Sequence, residues 1–112
     1  MSPAIALKVR QVADSLDMTQ EQVGEVVGSS TRTVARWLSG DAVPQRQSKQ
    51  RLLELAYVAQ ELGKVLEPED ANLWIFSPNV LLEHDSPADR IRVGDYKAVL
   101  GLIEALADGI VV

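Results

Sequence analysis

The sequence predicts an all-α fold, and three observations carry that prediction. Hydrophobic residues fill 46% of the 112 positions but aromatics only 4%, so the core must be built from Leu, Val, Ile and Ala, which suits packed helices. Apolar residues recur at spacings of three and four, the signature of one helix face. No stretch alternates apolar with polar residues as a half-buried strand would, and neither an internal repeat nor a low-complexity segment is present.

Ile5, Val9, Val12 and Leu16 fall four, three and four apart and give the first helix its apolar face. Thr19-Gln-Glu-Gln22 is a capping-box pattern that starts a second helix, running to about Val27. Gly28-Ser29-Ser30 breaks the chain; Thr31–Leu38 resumes a helical pattern with Val34 and Trp37 three apart, and Ser39-Gly40-Asp41 ends it. Pro44 is expected near the start of a longer helix, where its missing N–H costs nothing. Leu52, Leu55, Ala56, Ala59 and Leu62 line one side of that helix, which is expected to reach about Leu66.

Beyond Glu67-Pro68 short helices punctuated by proline are expected. Ser77-Pro78 and Ser86-Pro87 each read as an N-cap followed by proline at the first helical position, bracketing a short helix over Val80–His84. Asp95 is expected to cap a last helix whose seam is Tyr96, Val99, Ile103 and Leu106. Gly109 stops it and leaves the apolar tail Ile110-Val111-Val112. The chain thus divides into a helix-turn-helix region (1–43), a connecting and dimerisation helix (44–66) and a second helical domain (67–112).

The net charge is −5, unevenly spread. Residues 1–52 hold seven basic and five acidic side chains, giving +2; residues 53–112 hold four and eleven, giving −7. Such asymmetry suggests halves with different partners. The absence of cysteine removes disulfides and thiolate chemistry, and with one histidine a zinc site would need three or more carboxylates. Lys8 and Arg10 interrupt the apolar N-terminal pattern, which is therefore no signal peptide, and no run approaches eighteen uncharged apolar residues. A cytoplasmic protein is expected.

Phe76–Pro87, FSPNVLLEHDSP, crowds Ser77, Ser86, Glu83, His84 and Asp85 together. A catalytic reading makes a serine the nucleophile and His84 its base. Triads need convergent geometry, whereas successive helical residues diverge by about 100°. Glu83, His84 and Asp85 cannot easily converge, and no Gly-rich phosphate or oxyanion loop accompanies them. Neither an enzyme nor a cofactor is expected. In a plainer reading Leu81 and Leu82 are core and His84 is a solvated helix end.

Residues 20–40, QEQVGEVVGSSTRTVARWLSG, have a mechanical meaning. Two short helices crossing steeply need a small residue at the close approach (Gly24), tolerance of positive φ in the turn (Gly28) and buried aliphatics (Val23, Val27, Val34) closed by Trp37. That combination resembles the helix-turn-helix of the Cro/repressor-like Xre family, and the first and fourth helices fit as its supports. The resemblance implies that the second helix enters the major groove, turning Ser30, Thr31, Arg32, Ala35 and Arg36 outward. Arginine pairs with guanine O6 and N7, and Gln20 and Ser30 lie at helix N-termini suited to phosphate. Arg46, Lys49 and Arg51 would add backbone contacts. The surplus of +2 is modest, so DNA binding implies a dimer.

The run from VPQR through KQRL and ELAYVA, then WIFSPN, LLEH and the PAD step, resembles the Xre–MbcA–ParS toxin-binding antitoxin family of RES-type toxin–antitoxin pairs. With the Xre-like half, this resemblance covers nearly the entire chain. It implies a stoichiometric inhibitor: a homodimer whose second domain binds a RES toxin, an NAD-destroying protein similar in fold to ADP-ribosyltransferases. It implies further that the C-terminal region presses on the toxin's active-site cleft and that the Xre half represses the operon. The residues expected to meet the toxin are Trp74, Phe76, Asn79, Leu82 and His84, with Ile110, Val111 and Val112 of a tail ending in a carboxylate. An acidic domain suits a site built for NAD phosphates. A stand-alone helix-turn-helix regulator with a C-terminal dimerisation domain is the alternative.

Overall fold

Seven α-helices and one 3₁₀ helix form the described residues, 3–110 and 112, of the computed structural model. They are α1 (Pro3–Leu16), α2 (Gln20–Val27), α3 (Thr31–Ser39), α4 (Arg46–Leu62), α5 (Pro68–Phe76), the 3₁₀ helix Val80–Leu82, α6 (Pro87–Arg92) and α7 (Tyr96–Ala107). No strand occurs among the described residues, as the sequence predicts.

Local chemistry sets most boundaries. The Thr19 Oγ1 accepts the Gln22 N–H at 3.1 Å and the Gln22 Oε1 accepts the Thr19 N–H at 3.1 Å, satisfying two orphan donors of α2 reciprocally. Gly28 closes α2 at φ +78°, where a β-carbon would clash with the peptide. Gly24 answers a different need: a β-carbon there would collide with the Ser29 carbonyl oxygen, so the turn can fold down onto α2 only over a glycine.

Expected boundaries and caps are corrected at five places. Pro44 precedes α4 rather than entering it: Gln45 occupies the N-cap, and the helix ends at Leu62 because residues 63–65 tighten into turns. Ser77-Pro78 ends a helix instead of starting one, with Ser77 as the C-cap of α5. Val80–His84 is helical only to Leu82, since Glu83 and His84 swing to positive φ. Asp95 stands at the N-cap of α7 without bonding the helix, because Arg90 takes its carboxylate.

The four α1 residues Ile5, Val9, Val12 and Leu16 are buried as the spacing predicts, and α1 packs on α4, α3 and α5. Helix α4 sits centrally, touching α1, α2, α6 and α7. Leu52, Leu55, Ala56, Ala59 and Leu62 of its inner face and the Val99–Ile103 part of the α7 seam are spent on one shared core, while Leu53 and Tyr57 on its outer side stay exposed. That core runs from Ile5 to Ile103 through both halves of the chain. Polar ties reinforce it: Asn72 donates to the Asp17 carbonyl (2.9 Å) and to Gln22 Oε1 (3.1 Å), and Arg51 Nε donates to the Arg92 carbonyl (3.1 Å). The Cα radius of gyration is 13.5 Å, against about 13 Å for a single compact unit of ~100 residues. No described helix is long and apolar enough to cross a membrane.

Candidate functional site

Helix α5 opens on Pro68 at its first turn, where no N–H is needed, and turns Ala71 and Ile75, four apart, into the core. Leu73, two residues from each, is thereby forced outward and is 70% exposed, while Trp74 and Phe76 are half-buried against the core. The Ser77 hydroxyl folds back to donate to the Leu73 carbonyl, and Pro78 forbids another helical turn. The chain reverses through Asn79, whose Oδ1 accepts the Leu81 N–H at 3.0 Å and caps the 3₁₀ helix. Val80 and Leu81 emerge 70% and 60% exposed, whereas Leu82 is only 3% exposed.

Between α5 and this turn lies an open groove of about 630 Å³, lined by Leu66, Asp70, Leu73, Trp74, Ser77, Pro78, Asn79, Val80, Leu81 and Val112. Apart from Asp70 and the polar Ser77–Asn79 end, its walls are apolar. Scattered exposed aliphatics are ordinary on a surface; three flanking one concave, mostly apolar groove make it the candidate docking surface. Trp74 and Asn79, two of the residues expected to meet the partner, line it. Half-buried Phe76 and exposed His84 are not among its lining residues. Leu82 is not available to a partner: the 3₁₀ turn rotates it inward and presents Val80 and Leu81 instead.

The C-terminal tail returns to the same groove. Gly109 at φ +86° ends α7, and the Ile110 N–H bonds the Ala105 carbonyl at 3.0 Å. Ile110 is 56% exposed, and the Trp74 Nε1–H donates to the Val112 backbone oxygen at 3.2 Å. Val111, also expected to meet the partner, lies outside the described residues.

Behind the groove, Arg90 holds three acceptors: the Leu82 carbonyl (2.8 Å), the Asp85 carboxylate (2.9 Å) and the Asp95 carboxylate (3.1 Å). The hydrogen bond to Asp85 raises its pKa further, so the guanidinium is permanently charged. Glu83 and His84 are consecutive non-glycine residues at φ +57° and +71°, a conformation costing on the order of 1–3 kcal/mol each. Ser86 and Asp89 form a capping box for α6, and the Ser86 backbone N–H holds the Asp89 carboxyl below the usual carboxylate range. That cap contributes above the unfolded carboxylate pKa and is lost as pH falls through the depressed value. The hydroxyls of Ser77 and Ser86 are therefore engaged in local structure, and neither is bonded to His84.

Helices α2 and α3 carry the helix-turn-helix. Ser30 caps α3 by accepting the Thr33 N–H (3.1 Å), and Val34 and Trp37 bury the inner face. Gln20, Ser30, Thr31, Arg32, Arg36, Arg46 and Lys49 are all exposed. Arg36 reaches only the Asp41 carbonyl, at 3.4 Å. Arg51 is drawn away from this surface by Arg92 and by Glu54 at 3.2 Å. Ser29 joins the turn to α4 through Ser48, hydroxyl to hydroxyl, at 3.1 Å.

The chain is similar to known proteins over nearly its whole length. A helix-turn-helix family model matches residues 9–56. The mycobacterial cidal antitoxin MbcA, in both Mycobacterium bovis and Mycobacterium tuberculosis, is 53% identical over 108 residues, spanning 96% of each chain. A probable mycobacterial cidal antitoxin of M. tuberculosis, Rv3188, is 30% identical over 107 residues, 93% of this chain and 91% of that one. Among solved structures, the crystal structure of the M. tuberculosis MbcT–MbcA toxin–antitoxin complex matches with a TM-score of 0.86 and 51% identity, covering 99% of this chain and 100% of the matched one.

Proposed function

Because the chain belongs to the MbcA antitoxin family, we propose that it neutralises a RES-domain, NAD-degrading toxin in the cytoplasm by docking it on the α5–Leu81 groove and covering its active site. One observation carries this reading: the likeness to MbcA spans 96% of the chain, whereas the helix-turn-helix match stops at residue 56. The likeness therefore includes the groove, Trp74 and the approach to the tail. A toxin partner is in keeping with the MbcT–MbcA complex, whose antitoxin the chain resembles in fold. The charge of −7 on residues 53–112 supports a partner whose site accommodates phosphates. Trp74, Phe76, Asn79, His84 and the tail residues Ile110, Val111 and Val112 are proposed contacts, joined by Leu73, Val80 and Leu81. The chain acts as a ligand of the toxin, not as a catalyst.

The tail is the proposed plug. Its bond to Trp74 keeps it beside the groove, so a toxin docked there meets Ile110 and Val112 at once. Deleting Gly109–Val112 is expected to leave co-purification intact while restoring NAD loss in cells that co-express the toxin. Unchanged protection of the NAD pool by the truncated chain would refute the plug.

Autoregulation through the α3 surface accompanies this role. Homodimerisation, which operator binding requires, is supported by Leu53 and Tyr57, exposed on the outer side of α4. Replacing both Arg32 and Arg36 by alanine is expected to weaken binding to the promoter DNA of its own operon by about 10- to 1000-fold, at about 1–3 kcal/mol per base-contacting arginine with partial additivity. A gel-shift midpoint equal to the parent's removes DNA recognition by α3 from the proposal.

A further inference from the structure

We propose that Arg90 is a positioning residue of the docking surface: it sets the shape in which the Asn79–Asp85 loop presents Val80 and Leu81, without itself meeting the partner. The inference rests on the toxin-docking reading of the groove. Val80 and Leu81 project from the surface, so their own packing does not orient them; the loop backbone must.

That backbone is closed at its base, where the Asn79 N–H donates to the Asp85 carbonyl at 3.0 Å. The Asn79 carbonyl in turn accepts the N–H groups of Leu82 and His84, each at 2.9 Å. Closing so short a loop drives Glu83 and His84 together into the left-handed region, where a side chain is disfavoured. Two such residues in succession persist only where the surroundings over-determine them. Arg90 supplies that constraint from α6. One nitrogen holds the Leu82 carbonyl just before the strained pair, a second holds the Asp85 carboxylate just after it, and the third anchors the guanidinium to Asp95 at the start of α7. The loop is thus clamped on both sides of its strained step by one rigid, planar group. The Arg90 side chain is 20% exposed, and all three of its nitrogens are occupied inside the protein.

Lysine keeps the charge but is a single donor atom and cannot reach all three acceptors. Arg90→Lys should therefore free the loop, and ordering it again on binding should weaken affinity for the cognate toxin by about tenfold in calorimetry. Adding Glu83→Gly, which accepts positive φ without strain, should recover most of that loss, because the loop then holds its shape with less help. A direct contact between Arg90 and the toxin would not be rescued in this way. Should Arg90→Lys fail to fold, Asp95→Asn, which loosens the anchor from the side away from the groove, is expected to weaken affinity by about threefold. Parental affinity in Arg90→Lys, or in Asp95→Asn where that is the variant measured, overturns the inference, as does a loss that Glu83→Gly leaves untouched. Absence of toxin binding by the parent chain overturns the docking reading itself, so the two failures are distinguishable.

Discussion

The Leu73→Asp, Leu81→Asp double variant is expected to lose toxin binding by about 1000-fold while keeping its fold. Both side chains stand mostly in solvent in the free chain, so aspartate removes few internal contacts, and far-UV circular dichroism and melting temperature should stay near the parent's. On docking, each would become buried. Burying leucine side chains that were mostly exposed contributes about 2 kcal/mol each. An aspartate in their place must shed its hydration inside an apolar groove without a partner, a further cost of the same sign. About 4 kcal/mol corresponds to about 1000-fold in Kd. Calorimetric affinity within threefold of the parent would move the docking site away from this groove. Leu82→Asp offers a contrast, because Leu82 is buried: there the fold fails along with binding.

Trp37→Ala is expected to lower stability by about 3–5 kcal/mol, the range for truncating a large buried aromatic. Trp37 is 2% exposed and is the largest fully buried side chain. The residual cavity would open in a core that α1, α3 and α4 share, where α-helical backbones cannot collapse inward without breaking their own packing. Against a total of about 5–15 kcal/mol, such a loss lowers the thermal midpoint by more than about 10 °C. Because one core runs through both halves, the groove should melt with the helix-turn-helix in a single transition. A second transition, or a midpoint shifted by only a few degrees, would mean that residues 67–112 are stable without the α3 packing.

The reliable signals in the sequence were those whose physics is contained in a few neighbouring residues. Thr19 and Gln22 satisfy each other three residues apart, Gly28 takes a conformation open to few others, and Ile5–Leu16 shows one face over about three turns. The Ser-Pro steps expose the limit of such reasoning. Both have the composition of a helix start, yet only Ser86 has an acidic residue three positions on, Asp89, to complete the box. Ser77 has Val80 there, and its hydroxyl bonds backwards to Leu73 instead. Leu73 was within reach of helix arithmetic, since Ala71 and Ile75 already define the inward side of α5. Leu82 was not, because one 3₁₀ turn is too short to display a period and its Leu-Leu pair gives no sign of which residue turns in.

The sequence by itself determined an all-α chain, the placing of its helix-turn-helix and the identity of its main core faces, because caps, glycine turns and amphipathic periodicity act over one to four residues. Only the tertiary structure decided which apolar residues were left over. The α4 and α7 faces, ample for a second copy when counted along the chain, are consumed by each other and by α1, while Leu73, Val80 and Leu81 find no internal partner. It alone brought Arg90 to Leu82 and Trp74 to Val112, contacts spanning 8 and 38 residues. Such pairings depend on how whole helices dock, and docking is a competition among all apolar faces that no single stretch of sequence records.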